Sequence, residues 1–251
     1  MKSTWKTYSL ALVMLGLSNT VSADFVGLNI GANHWTPDLT GSFNSSATGS
    51  SNINISNDLG LKDHSATSLS ISLEHPIPLL PNIKYQGHDL NSSSNSNIGS
   101  AKTFNNTTFN AGTINSTLDL SHNEIALYYE LLDNWINLDL GLDLRMFDGK
   151  VSISDSSQSN SITIDETIPM LYIAARVDLP FTGFYIGANI QQLSIGDNSI
   201  EDSTLLVGYE SKLGLGIEGG IKTFSLELDD ASNLNTNLEY DGLFLNGFYH
   251  F

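Results

Sequence analysis

Residues 135–147 read WINLDLGLDLRMF, and this stretch decides the fold class. Apolar side chains occupy every second position from Ile136 to Met146, while Asn, Asp, Gly and Arg fill the positions between them. A period of two over this length predicts a β-strand and not a helix. At about 11 residues the strand is long enough to cross a bilayer at a tilt. In a membrane barrel its apolar face would contact lipid and its polar face would line the lumen.

The same alternation recurs along the chain, and about ten strands are expected. Two of the segments change phase midway, at residues 117–130 and 213–228. A one-residue bulge could keep the apolar residues of each strand on the same face of the sheet. Alternatively, these strands leave the membrane and continue above it, and both alternatives stay open. The other alternating segments lie at residues 25–33, 68–74, 83–89, 171–178, 184–192, 204–210 and 243–251.

The connections between these segments alternate in length. The short ones lie at residues 74–82, 131–134, 179–183 and 210–212, and the long ones at 34–67, 91–116, 148–167, 194–203 and 229–237. This is typical of an even-stranded barrel with tight periplasmic turns and larger external loops, and closure removes exposed edges. We therefore predict an all-β fold, a transmembrane antiparallel up-and-down β-barrel. Loop stretches rich in Ser and Asn, such as 41–46 and 91–97, are expected to be mobile.

Both ends of the chain predict its location. Residues 1–23 have the charges, short apolar core and small cleavage-site residues of a signal peptide, so residues 24–251 would form the mature barrel. The core is about eight residues long, too short for a spanning helix. The last strand alternates and ends on an aromatic residue, and it resembles the terminal strand by which Gram-negative outer-membrane barrels are recognised for insertion by the barrel-assembly machinery. That signal would comprise Leu243, Leu245, Tyr249 and Phe251.

Composition excludes several classes of function. The formal net charge is −17, with only 10 Lys and Arg residues, so nucleic acid is not an expected partner. The chain has no cysteine, which excludes disulfides, thiolate metal sites and cysteine nucleophiles. Acidic residues are frequent in the long connections, but no spacing matches a calcium loop. We expect neither a metal nor a cofactor.

Aromatic residues are predicted to form girdles at the two membrane interfaces. Those beside the short turns are Tyr129, Trp135, Phe181 and Tyr209, and those near the long connections are Trp35 and Phe147.

Charged residues on the polar faces are predicted to point into the lumen. They would form an ion-pair network that satisfies buried charge, or else line a small selective pore. The network is favoured because a barrel of about ten strands is only slightly wider than the eight-stranded kind that side chains fill. The residues are Glu130, Asp139, Asp143, Arg145, Arg176, Asp178, Glu218 and Lys222.

One compact group has the ingredients of a catalytic relay, Ser121-His122-Asn123-Glu124. Neighbours on a strand point to opposite faces, so Ser121 and His122 would not meet without a bulge. The sequence therefore predicts no enzyme.

The stretch Tyr128-Tyr129-Glu130-Leu131-Leu132-Asp133-Asn134-Trp135, with residues 138–142 and the proline-rich turn 74–82, resembles a family of uncharacterised gammaproteobacterial outer-membrane β-barrel proteins. The likeness spans nearly the whole mature chain and implies a small barrel in the cell outer membrane. We predict a monomer with a structural or surface-interaction role, in contact with outer-membrane lipid and lipopolysaccharide. The alternative is a narrow channel for small polar or cationic solutes, and the third hypothesis is a lipid-modifying enzyme.

Overall fold

A computed structural model describes residues 26–62, 65–77, 79–231 and 233–251. The predicted leader, residues 1–23, lies outside the described residues. Within the described part, no helix is long and apolar enough to cross a membrane. The strands are β1 (Gly27–Ser45), β2 (Ile53–Asn54), β3 (Ala66–Glu74), β4 (Asn82–Asp89), β5 (Asn91–Ile98), β6 (Lys102–Phe104), β7 (Thr107–Phe109), β8 (Gly112–Asp119), β9 (His122–Asp133), β10 (Ile136–Ser154), β11 (Ser159–Asp178), β12 (Phe184–Ile195), β13 (Asn198–Glu210), β14 (Leu215–Ala231) and β15 (Leu234–His250).

The strands close into an antiparallel barrel. The hydrogen-bonded order runs from β1 through β3, β4, β9, β10, β11, β12, β13 and β14 to β15, which pairs with β1 again. β4 and β5 form one barrel strand, and β8 and β9 form another, because the pairs His88↔His122 and Asn91↔Asp119 share one register. The predicted ten-stranded up-and-down barrel is confirmed. β2 pairs with β1, and β6 and β7 form a separate hairpin.

The lower part of the barrel has an apolar outer face and a polar interior. On β10, Leu140, Leu142 and Leu144 are 39–59% exposed on the outside, while Asp143 and Arg145 are fully buried inside. Only a bilayer accommodates such a belt around a closed sheet, since the barrel strands are hydrogen-bonded to a neighbour on each side and the outer surface is apolar. The protein is a barrel of the cell outer membrane. Neighbouring strands continue the belt with Ile30, Leu69, Ile71, Ile83, Leu127, Leu171, Ile186, Ile190, Leu205, Val207, Ile217, Ile221, Leu243 and Leu245.

Above the belt the apolar residues lie on the inner face of the strands and not on the outer face, although no bulge interrupts the alternation. On β14, Ile221 is exposed outside whereas Phe224 and Leu226 are buried inside, yet the pairing with β15 is regular from Leu215 to Leu228. β8 and β9 share one unbroken register with β10 through the phase change. The phase changes therefore mark where strands leave the membrane, and the bulge alternative was wrong. The register shift between β9 and β10 lies at Leu138/Asp139, near the periplasmic end.

The extracellular part is an ordered apolar core, covered by what we call the cap, residues 46–62 and 99–111. The cap buries Ile53, Leu61, Phe104 and Phe109 almost completely. Its two segments are joined by hydrogen bonds from the Ser51 N–H to the Thr103 carbonyl and from the Thr103 N–H to Ser51 Oγ, and by an ion pair of 2.8 Å between Lys102 Nζ and Asp58 Oδ2.

Much of what the sequence predicted as long loops is strand. Residues 41–45 belong to β1 and residues 91–97 to β5, so their assignment to loop tips was wrong. Ser and Asn dominate both stretches, and this composition hid the sparse inward apolar residues Phe43, Leu90 and Ile98.

The short turns lie at one end of the barrel, opposite the cap. This end is the one predicted to be periplasmic, and it is called the periplasmic end. Gly214 adopts a φ of 76° between β13 and β14, and a Cβ there would overlap the carbonyl oxygen of His250. Only glycine fits this close approach without strain.

Candidate functional site

The lumen has three levels. From the periplasm, a vestibule of about 780 Å³ is lined by polar and charged residues of both halves of the barrel. It leads to a smaller polar cavity of about 120 Å³, which ends on a layer of ion pairs. Above that layer lies an apolar chamber of about 450 Å³ beneath the cap.

Arg145 is the centre of the ion-pair layer, which we call the charged layer. Its Nη2 donates to Glu124 Oε2 on β9 at 2.9 Å and to Asp202 Oδ2 on β13 at 3.3 Å. The same nitrogen lies 3.4 Å from Gln191 Oε1 on β12, and Nε lies 3.8 Å from Asp143 Oδ2. Because β9 and β13 stand on opposite sides of Arg145, its guanidinium bridges the lumen.

Two further cationic or ionisable groups complete the charged layer. Lys222 Nζ on β14 lies 2.9 Å from Asp202 Oδ2, and His88 Nε2 on β4 lies 3.2 Å from Glu124 Oε1. Ions so buried are costly to desolvate, and each attraction offsets that cost only while all partners stay in place. The layer thus ties five strands together across the interior.

Aromatic rings close the charged layer from above. The Arg145 guanidinium lies 5.5 Å from the centre of the Phe224 ring, and Lys222 Nζ lies 5.5 Å from the centre of the Trp35 ring. His122 stacks on His88 at 4.5 Å and lies 4.9 Å from Phe147. Cation–π contacts of this kind stabilise desolvated charge. These ions and rings lie between the polar cavity below and the apolar chamber above.

The eight charges predicted for the lumen do not form one network. Asp143, Arg145 and Lys222 lie in the charged layer, with three partners that the predicted set omitted: His88, Glu124 and Asp202. Asp202 was missed because residues 194–203 were assigned to a loop, although the alternation of Ile200, Asp202 and Thr204 continues that of β13.

A second group of charges lies at the periplasmic vestibule. Arg176 lies 2.8 Å from Asp178 Oδ1 and 3.4 Å from Glu210 Oε2, and its guanidinium covers the Tyr185 ring at 3.6 Å. Glu218 accepts hydrogen bonds from Tyr185 Oη and from the Asn246 amide, both at 2.8 Å. The last two predicted charges, Glu130 and Asp139, line the vestibule wall.

Of the six predicted girdle residues, the four beside the short turns lie on the outer surface and the other two do not. Trp35 and Phe147 are 4% exposed and point inward, so their assignment to an outer girdle was wrong. Both lie above the belt, where inward positions are apolar. The remaining predicted residues are exposed on the outer surface near the short turns, namely Tyr129, Trp135, Phe181 and Tyr209.

The C-terminal strand presents Leu243, Leu245, Tyr249 and Phe251 on the outer surface. The Phe251 N–H donates to the Leu28 carbonyl at 2.8 Å, so the final residue is held at the seam between the first and last strands. A role of this strand in insertion stays a prediction.

Ser121 and His122 do not form a relay. Ser121 Oγ accepts the Leu90 N–H at 3.0 Å, whereas His122 points inward and its Nδ1 lies 2.8 Å from the Leu120 carbonyl. The unbroken register keeps the two side chains on opposite faces.

His88, His122 and Glu124 are close enough to suggest a metal centre, with ligand atoms within 4.8 Å of one another. The two rings, however, are stacked with an interplanar angle of 21°. The lone pair of an imidazole nitrogen lies in the plane of its ring, so two nearly parallel rings do not converge on one ion. Arg145 also engages the Glu124 carboxylate. These residues do not fit a metal.

Comparison with known proteins yields no family. No family model and no curated protein matches the sequence. Similar solved structures include the outer membrane protease OmpT from Escherichia coli, at 10% identity and a TM-score of 0.46 over 89% of this chain and 97% of that one. The translocator domain of autotransporter NalP from Neisseria meningitidis shows 12% identity and a TM-score of 0.41, covering 90% and 88%. A Pseudomonas aeruginosa FadL homologue shows 8% identity and a TM-score of 0.38, covering 90% of both chains.

Proposed function

We propose that the protein is a closed, non-conducting outer-membrane barrel with a structural or surface-interaction role. The observation that carries the proposal is the bridge from Glu124 through Arg145 to Asp202, which spans the lumen below an apolar core. A hydrated ion entering from the vestibule would have to separate these groups. It would then have to shed its water to pass through the apolar core, at a cost of many kcal/mol.

The role at the surface rests on the extracellular strands and cap. They raise an ordered structure above the membrane, with outward positions that are polar or acidic. At the β10–β11 turn, Asp155 accepts hydrogen bonds from the Ser157 N–H and hydroxyl and from the Gln158 N–H. These bonds lower the pKa of the Asp155 carboxyl, which favours a negative charge there.

Lipopolysaccharide and the surrounding lipid are the partners that this surface favours. Acidic side chains just above the belt would share divalent cations with an anionic outer leaflet. We also propose that the protein is a monomer, that the barrel-assembly machinery inserts it and that it has no enzymatic activity. Membership of the gammaproteobacterial family also stays a proposal, supported by the residues of the 128–135 segment.

Conductance in a planar bilayer tests the proposal. The purified, folded protein should give no current steps in potassium chloride under conditions in which a reference porin conducts. Reproducible steps from the wild-type protein would refute the closed barrel and favour the narrow cation channel, for which the acidic vestibule is the supporting feature. The Arg145→Ala variant, measured in parallel, should also give no current steps, because the apolar core above the charged layer remains. Steps from this variant alone would show that the charged layer is the only barrier.

A further inference from the structure

The apolar chamber above the charged layer has the features of a binding site. Its volume of about 450 Å³ falls in the range of small-molecule pockets. Its walls are formed mainly by hydrocarbon side chains of seven barrel strands. One wall residue, Phe147, lies 4.9 Å from the His122 ring above the charged layer, and another, Phe43, lies 5.7 Å from the Phe104 ring of the cap, so the chamber lies between the two. The chief wall residues are Phe43, Leu118, Phe147, Leu193, Leu226 and Leu238.

The chamber reaches the outside through a gap in the barrel wall. β11 pairs with β12 only from Leu171 to Asp178, and residues 159–170 pair with β10 alone. The β12–β13 hairpin ends at the pair Ile195↔Asn198, far short of the β10–β11 hairpin. Pro169 lies just above the last β11–β12 pair, and it has no N–H with which to extend that ladder. The two strands therefore diverge above Leu171.

The gap begins at the upper edge of the apolar belt. Leu171 and Ile190 are exposed and apolar at its lower corner, whereas Glu201, one step higher and paired with Gln192, is charged. Ile168 and Leu193 line the opening from inside and are partly exposed. An apolar path thus leads from the outer leaflet into the chamber.

The chemistry of the chamber walls selects among apolar molecules. The described residues that line it include no Lys, Arg or His that could pair with an anion. The carboxylate of a fatty acid would therefore lose its water among hydrocarbon side chains with no cation to offset the cost. An uncharged chain has no such penalty.

We propose that the chamber binds an uncharged aliphatic molecule, such as a long-chain alcohol or hydrocarbon, that enters through the gap between β11 and β12. Burial of its chain against the hydrocarbon walls supplies the binding free energy. This inference goes beyond the proposed function, because a closed barrel remains closed whether the chamber is filled or empty.

Photolabelling tests the binding. The wild-type barrel in lipid nanodiscs is irradiated with a diazirine analogue of 1-dodecanol, and the labelled peptides are identified by mass spectrometry. Labelling should saturate, should fall on residues 162–170 and 226–238, and should be competed by 1-dodecanol but not by dodecanoate. Unsaturable labelling confined to belt residues would overturn the proposal, and equal competition by dodecanoate would overturn its uncharged class.

Matched variants separate the chamber from the lipid surface. Ile168→Trp fills the chamber mouth, whereas Leu243→Trp adds the same side chain to the lipid-facing surface of β15, away from the gap. Chamber labelling should fall about tenfold in Ile168→Trp, equivalent to about 1.4 kcal/mol of binding free energy, and should be unchanged in Leu243→Trp. If Ile168→Trp does not fold, Leu193→Phe with Leu245→Phe as its control makes the same comparison. Equal labelling in the two members of a folded pair would contradict the assignment.

Discussion

Arg145 on β10 and Asp202 on β13 stand three strands apart around the barrel wall, yet Arg145 Nη2 lies 3.3 Å from Asp202 Oδ2. Arg145 is fully buried, so its charge has no access to solvent. This contact joins two opposite parts of the barrel wall across the interior. It also makes the barrel interior sensitive to the loss of a single cation.

Replacement of Arg145 by leucine should destabilise the barrel strongly. The change leaves Glu124 and Asp202 buried without their shared cation, which typically costs about 3–5 kcal/mol. Urea unfolding in lipid vesicles, followed by tryptophan fluorescence, measures the loss. Arg176→Leu is the control, since its side chain at the vestibule is about one-third exposed and exposed ion pairs contribute up to about 1 kcal/mol. Equal losses in the two variants would contradict a central role for the charged layer.

The upper boundary of the membrane is tested with outward-facing arginines. Leu142→Arg places a charge in the apolar belt and should cost about 2–4 kcal/mol of folding free energy. Thr163→Arg lies on the outer face of β11, opposite Lys150 and above the belt, and should change stability by less than about 0.5 kcal/mol. A large loss of folding free energy in Thr163→Arg, measured in the same vesicle unfolding assay, would contradict this boundary. It would show that the membrane extends above the height at which the apolar residues change from the outer to the inner face.

The cap should depend on Phe104. Its ring is fully buried and meets the ring of Phe43 edge-on at 5.7 Å. Phe104→Ala removes a buried ring, a change worth about 3–5 kcal/mol in protein cores, and should expose residues 46–62 to protease on intact cells. Thr113→Ala, at an exposed position on β8, should leave the cleavage rate at the wild-type value. Resistance of the Phe104 variant would mean that the cap is held without this ring, by its hydrogen bonds and the Lys102–Asp58 ion pair.

The terminal aromatic residue is predicted to direct insertion. Phe251→Ala should lower the amount of assembled barrel in the outer membrane, because it removes the last aromatic residue of the signal. Heat-modifiable migration on gels measures the folded fraction, and Glu239→Ala on the outward face of β15 above the belt serves as control. Normal assembly of the Phe251 variant would rule out this residue as part of the signal.

An enzymatic role is tested at His122. Because His122 and Ser121 lie on opposite faces, His122→Ala should leave the lipid A profile of cells unchanged when measured by mass spectrometry. The barrel must be present at wild-type abundance, as shown by immunoblot; if it is not, Ser121→Ala is measured in its place. A changed acylation or phosphorylation pattern would bring the enzyme hypothesis back.

The sequence by itself determined the ten strands, the facing of their side chains in the membrane and the ends at which the turns lie. These properties follow from the alternation of side chains along a strand. The alternation is a local property, because successive side chains on a strand point to opposite faces of the sheet. For this reason Leu138–Leu144 sufficed to predict a lipid-facing surface.

Only the tertiary structure decided what fills the interior. Which charges meet depends on the register and tilt of strands far apart in the chain, so Arg145 was predicted to face the lumen but not to bind Asp202. The same holds for the cap and for Trp35. An apolar residue alternating on a strand has the same local pattern whether it faces lipid or a core, and only the height of that residue above the bilayer distinguishes the two.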